Sequence, residues 1–288
     1  MNILIITHAL NGLLMIAMPI GLAIVLTRRW KMGGSIWWIG FAAFIISQVG
    51  HIPFNWGAGL LINQFDPVYW SPLAQQVFNA VFLGLSAGVF EEVSRYLILR
   101  FWAKKARSWR NGILFGAGHG GSEAIILGVL VLVTYTSMLA MRGMDLSTLV
   151  PADQLDLAQQ QVQAYWSIPW YDSLLGALER LFTIPVQICM AVLVMQAITR
   201  KKIGWLFLAI LYHAVVNGTV VFLMPSLGTY WTEALVGGFA LLSLVIIILL
   251  RQPEPTLIPE PVTAPTPTVT LKLVEETSEN LDNSRYQG

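Results

Sequence analysis

Apolar residues run along this chain in seven long blocks, roughly 3–27, 36–62, 75–100, 111–141, 171–199, 203–223 and 230–250. Each reaches the ~20 residues that an α-helix needs to cross a bilayer. The pattern predicts an all-α fold, a polytopic transmembrane helix bundle of about seven spans. The second block is expected to bend near Pro53, and the third and fourth are long enough to tilt or to extend beyond the membrane. The opening MNILIITHALNGLLMIAM lacks the basic stretch that begins a cleavable signal, so the first block is read as a permanent helix.

Polar residues between the blocks set the orientation. Arg28, Arg29 and Lys31 follow the first block, and Arg100, Lys104, Lys105, Arg107 and Arg110 follow the third. Arg200, Lys201 and Lys202 follow the fifth, and Arg251 follows the seventh. The alternate loops hold Arg142 and no other basic residue. Lys and Arg collect in short cytoplasmic loops, so the N-terminus is expected outside and the C-terminus in the cytoplasm. The 142–170 loop, centred on PADQLDLAQQQVQAYW, is expected to form a short surface helix beginning at Pro151, with Trp166, Trp170 and Tyr171 in an interfacial belt. The chain then divides into a membrane domain, 1–251, and a disordered Pro-rich cytoplasmic tail, 252–288, which carries six prolines.

Composition agrees with this division. Of 288 residues, 56% are hydrophobic and 11% charged, with a mean hydropathy of +0.65. A soluble domain carries about 25% charged residues, so a water-soluble globular fold is excluded and membrane lipid is the first partner. The net charge of +1 gives no indication of a nucleic-acid partner, and a single cysteine, Cys189, excludes an internal disulfide framework.

Against that background, the third block contains GVFEEVSRYLIL, residues 88–99. A charge at mid-membrane costs about 2.5–3.5 kcal/mol on insertion scales unless it is paired. Glu91 and Arg95 are spaced i,i+4 and Glu92 and Arg95 i,i+3, so either carboxylate can meet the guanidinium. One arginine cannot neutralise both. Gly84 and Gly88 continue the same face as a seam for a close neighbour, which turns the carboxylates into the bundle.

Two further blocks carry similar groups. The fourth reads FGAGHGGSEA, with Phe115, His119 and Glu123 at i, i+4 and i+8 beside a Gly112, Gly116, Gly120 seam; the sixth reads YHAVVNG, with His213 and Asn217 at i,i+4. At 1.5 Å per residue, Glu91 and Glu92 lie ~12–14 Å in from Arg100, His119 ~13 Å in from Arg110 and His213 ~16 Å in from Lys202. Three helices therefore bring ionisable groups to one depth. Gln187 is at middle depth and can hydrogen-bond there. Glu179 and Arg180, ~30 Å from the basic end of their helix, are read as a structural ion pair, and His8 and His51 as structural residues.

The residues suit hydrolysis. A glutamate can act as general base toward water. Two histidines and a carboxylate are also the usual protein ligands of a catalytic zinc, here His119, His213 and Glu91 or Glu92 with Zn2+. Asn217 would be an unusual zinc ligand but a good donor to an oxyanion. Intramembrane Glu and His also form proton and cation relays, so a proton- or ion-coupled transporter is the alternative, and a catalytically idle scaffold of the same fold a third.

The chain resembles the YhfC-type membrane peptidases, within the wider group around the CAAX prenyl endopeptidases and bacteriocin-processing enzymes. EEVSR at 91–95, FGAGH at 115–119 and HAVVN at 213–217 follow that group's three motifs in order, and HGGSEA and ALERLF look like the YhfC type. The resemblance spans roughly residues 75–225. It implies an intramembrane metalloprotease of a bacterial plasma membrane, cleaving a membrane-protein or membrane-associated peptide near the cytoplasmic side. Glu91 or Glu92 would activate water and Arg95 would hold the other carboxylate. His119 and His213 would bind metal or shuttle protons, Asn217 would steady the oxyanion and Glu123 would orient His119. One departure matters: the wider group spaces its first motif EExxxR, whereas only Val93 and Ser94 separate Glu92 from Arg95 here. Alignment on the arginine and alignment on the glutamates therefore select different carboxylates.

Overall fold

The computed structural model describes residues 3–64 and 70–253. They fold into eight α-helices: α1 (Ile3–Trp30), α2 (Ser35–Asn63), α3 (Pro72–Phe101), α4 (Trp109–Met141), α5 (Leu155–Ser167), α6 (Leu175–Thr199), α7 (Gly204–Leu227) and α8 (Thr229–Leu249). No strand occurs among the described residues. All but α5 belong to seven segments long and apolar enough to cross a membrane. The protein is a multi-pass membrane protein. The expected tail, 252–288, lies almost wholly outside the described residues.

Local chemistry places the helix ends. Ser71 caps α3 by accepting from the Ala74 amide at 3.2 Å, and Pro72 follows in the first turn, where its missing N–H costs nothing. Ser108 caps α4 by accepting from the Asn111 amide at 3.3 Å. Between α7 and α8 the chain reverses at Gly228, whose φ of 74° and ψ of 176° suit a residue without a Cβ. The second segment stays α-helical through Pro53 as far as Asn63.

The short surface helix differs in its start. Pro151 caps a 3-10 turn, Ala152–Gln154, and α5 begins at Leu155. Such turns are a common lead-in to an α-helix. α5 buries none of its residues. It is fastened by Trp166, which donates to the Met138 carbonyl at 3.2 Å while Arg142 lies over its ring.

α6 is the central helix, buried at every residue from Val186 to Ala197. It packs against α4, α7, α8 and α3, while α3 lies along α7 and α4 along α1 and α2. Large apolar side chains such as Val49, Leu241 and Ile248 point outward. Lipid gives apolar helices little reason to associate, so close backbone fit must hold them. A Cβ on Gly84 would stand 2.5 Å from the Ala214 carbonyl oxygen, and one on Gly116 would stand 2.6 Å from the Ile188 Cα. These contacts seat α3 on α7 and α4 on α6, and so fix the spacing of the charged residues they carry.

Gly84→Ala should therefore destabilise the solubilised protein by about 1–3 kcal/mol. Gly238→Ala, whose Cβ would meet nothing within 4 Å, should be neutral or stabilising by up to about 1 kcal/mol. Thermal unfolding in detergent checks the contrast; equal losses would refute the close-packing account.

Candidate active site

Arg95, wholly buried on α3, is the hub. It donates from Nη1 to both oxygens of Glu92, at 2.9 and 3.1 Å, and from Nη2 to Glu91 Oε2 at 3.2 Å. Nη2 also donates to Gln187 Oε1 on α6. Each carboxylate then meets one imidazole: His119 Nε2 of α4 lies 3.0 Å from Glu91 Oε2, and His213 Nδ1 of α7 lies 2.7 Å from Glu92 Oε1. His119 and His213 are both buried. The single arginine thus touches both carboxylates, and the histidines supply the further partners that two acids beside one cation need.

A second set of polar groups continues from the hub. Gln187 Nε2 donates to Glu123 Oε2 at 2.9 Å, and Arg180 Nη1 donates to Glu123 Oε1 at 2.7 Å. Arg180 also donates to Glu179. Glu123 is therefore occupied by α6 and does not touch His119, whose Nδ1 has no partner and whose ring meets the edge of Phe44. Spacing along α4 put Glu123 on the same face as His119, but Arg180 and Gln187 on the facing helix compete for its carboxylate. Glu179 and Arg180 likewise belong to a longer polar chain rather than an isolated ion pair.

A cavity of about 470 Å³ runs beside this chain. Glu91, Glu123, Gln187, His213 and Asn217 line it, as do Glu179, Arg180 and Glu233. Its wall also includes Leu83 of α3 and Met190 of α6, and it extends to the start of α6, the end of α7 and the start of α8 at Leu175, Met224 and Thr229. Toward the basic-loop ends of the helices the interior is instead filled by Leu99, Leu114, Val192 and Met195. Glu92, fully enclosed by Arg95 and His213, is not part of the cavity wall. The two glutamates that the sequence could not separate thus differ in surroundings. His51, read from sequence as structural, also connects to this region, through Gln48 on α2. The signal that could have found it is SQVGH, a polar run on an apolar helix with Gln48 and His51 at i,i+3.

Fold and site together define a seven-span helical membrane protein with a Glu–Glu–Arg cluster and two histidines closed inside it. The chain belongs to the YhfC intramembrane metalloprotease family, whose profile matches residues 14–240. It is 30% identical over 213 residues to a Bacillus subtilis (strain 168) protein described as "Uncharacterized membrane protein YhfC", covering 73% of this chain and 81% of that one. No solved structure matches the chain.

The family description implies a metal. Imidazole and carboxylate are donor types that zinc accepts, yet the arrangement does not suit an ion. Among the described residues no three His, Cys, Asp or Glu side chains converge as ligands. The imidazoles point instead at separate carboxylates, and the Arg95 guanidinium already lies against both. A dication there would have to displace the guanidinium and imidazole contacts that both carboxylates already make.

Replacing one member of such a cluster strands the others. Arg95→Leu should cost about 3–5 kcal/mol, because it leaves two buried carboxylates uncompensated. Combining it with Glu91→Gln and Glu92→Gln should recover part of that loss. Thermal unfolding of the single and triple variants measures it, and additive losses would count against the hub.

Proposed function

We propose that the protein is an intramembrane protease in which Glu91 is the general base and His119 its partner. The observation that carries this reading is that Glu91, His213 and Asn217 share one cavity wall while Glu92 does not. Water held by Glu91 loses a proton to the carboxylate, and the resulting hydroxide attacks the scissile carbonyl carbon. Electrons move to the carbonyl oxygen, where Asn217 and, with both ring nitrogens protonated, His213 stand as donors to the oxyanion. His213 Nδ1 is engaged by Glu92, which leaves Nε2 for the substrate. Collapse breaks the C–N bond, and the proton first taken by Glu91 passes to the leaving amine, while His119, enclosed behind Glu91, holds the carboxylate in place. One water is consumed.

The substrate is a membrane protein or membrane-associated peptide entering from the lipid. With the basic loops taken as cytoplasmic, Glu91 lies ~15 Å from that end of α3, which supports cleavage nearer that face. Glu92 and Arg95 serve as the scaffold that fixes His213 and the charge of Glu91.

A comparison of membrane-protein N-termini from cells expressing matched levels of each variant tests this. Wild type should create new N-termini that fall about 10²–10⁴-fold with Glu91→Gln. Asn217→Ala should reduce them about 10²–10³-fold, as for loss of one oxyanion donor. New N-termini that persist undiminished with Glu91→Gln would overturn the assignment, and none with wild type would overturn the protease reading.

A further inference from the structure

A fifth helix, marked by no motif, also reaches the site. On α2, Gln48 Nε2 lies 3.4 Å from Glu91 Oε1, the oxygen that neither Arg95 nor His119 touches. Gln48 Oε1 lies 3.3 Å from His51 Nδ1. His51 Nε2 in turn meets Asn55 Nδ2 at 2.9 Å and Ser86 Oγ at 3.2 Å. The Phe90 ring stacks on His51, with centroids 5.5 Å apart and planes 26° from parallel.

Donor and acceptor roles follow from the groups themselves. An amide nitrogen only donates and an amide oxygen only accepts. Gln48 therefore gives a hydrogen to Glu91, and its oxygen requires a hydrogen on His51 Nδ1. Asn55 Nδ2 requires the other ring nitrogen to accept. With the amides so oriented, the chain takes a neutral His51 carrying its hydrogen on Nδ1. Every link then runs in one direction, from Asn55 through His51 and Gln48 to Glu91.

We infer that Gln48 and His51 are positioning residues for the Glu91 carboxylate. Gln48 fixes the plane of the carboxylate from α2, and His51 fixes the rotamer of Gln48. Without them Glu91 is held at Oε2 alone, by Arg95 and His119, and its other oxygen is free to turn away from the cavity. Their role in catalysis rests on the protease reading, but the hydrogen bond to Glu91 does not.

Two measurements separate these claims. Infrared spectra of the solubilised full chain, taken as wild type minus Glu91→Gln, isolate the Glu91 carboxyl band. In Gln48→Leu and in His51→Leu that band should shift, because a donor to Oε1 is lost or loosened. The Glu92 band, isolated with Glu92→Gln, should stay in place, which also reports that the cluster is intact. Should Gln48→Leu fail to fold, Gln48→Asn keeps the amide and withdraws it by one methylene, with the same shift expected. An unmoved Glu91 band in the folded variants would overturn the inference. The second measurement is the yield of new N-termini. Gln48→Leu should lower it by up to about a hundredfold, as misplacement of a catalytic group does, yet cause no further fall in a Glu91→Gln background. An equal further fall there would mean that Gln48 acts elsewhere. New termini absent from wild type would sink the protease reading while the band shift still decides the hydrogen bond.

Discussion

Everything in the interior of this bundle depends on placing one guanidinium where water cannot screen it. Arg95 is wholly buried and contacts both carboxylates of its own helix. A buried ion pair is weak evidence for stability, because desolvation offsets the attraction. What such a cluster does supply is a demand for partners from outside the helix. Two acids and one base leave a surplus of acceptors, which α4 answers with His119 and α7 with His213, while Gln187 of α6 accepts from the guanidinium itself. The cluster therefore specifies which faces of four helices must meet, a task that apolar side chains in lipid perform poorly.

The glycines complete that specification. A polar network works only if its atoms come within hydrogen-bond distance, and bulky interfaces would hold the helices too far apart. Gly84 and Gly88 bring α3 onto the backbone of α7 one and two turns from Glu91, and Gly116 brings α4 onto α6 within a turn of His119. The same residues that close the packing thus set the reach of His213 to Glu92 and of His119 to Glu91.

Much of this was legible in the chain itself. Seven spans follow from apolar block length, and the grouping of Glu91, His119 and His213 follows from residue counts to the nearest basic cluster, since helices rise at a fixed rate. What sequence could not resolve was rotation and competition. Residue spacing put Glu123 on the face of His119, but spacing along one helix says nothing about Arg180 waiting on the next. His51 read as a structural residue because its partners, Gln48 and Ser86, are ordinary residues whose significance lies in their distance from Glu91. EEVSR left two carboxylates equivalent; only the packing of α7 against α3 encloses one and leaves the other at a cavity.

That difference bears on chemistry more than on stability. Both glutamates touch the same arginine, yet Glu92 is fully closed in by Arg95 and His213, so no water can stand between it and a substrate. Glu91 has the same cation beside it but also a cavity at hand, and that cavity continues past Glu123, Glu179 and Glu233 toward the start of α6 and the end of α7. A base is useful only if the reactant can reach it. Within a membrane, where water is scarce, carboxylates, an arginine and an asparagine along the wall are the groups able to hydrogen-bond it. The buried cluster and the polar wall are thus two halves of one arrangement: the first keeps a charge in lipid, and the second is the access that the proposed hydrolysis requires.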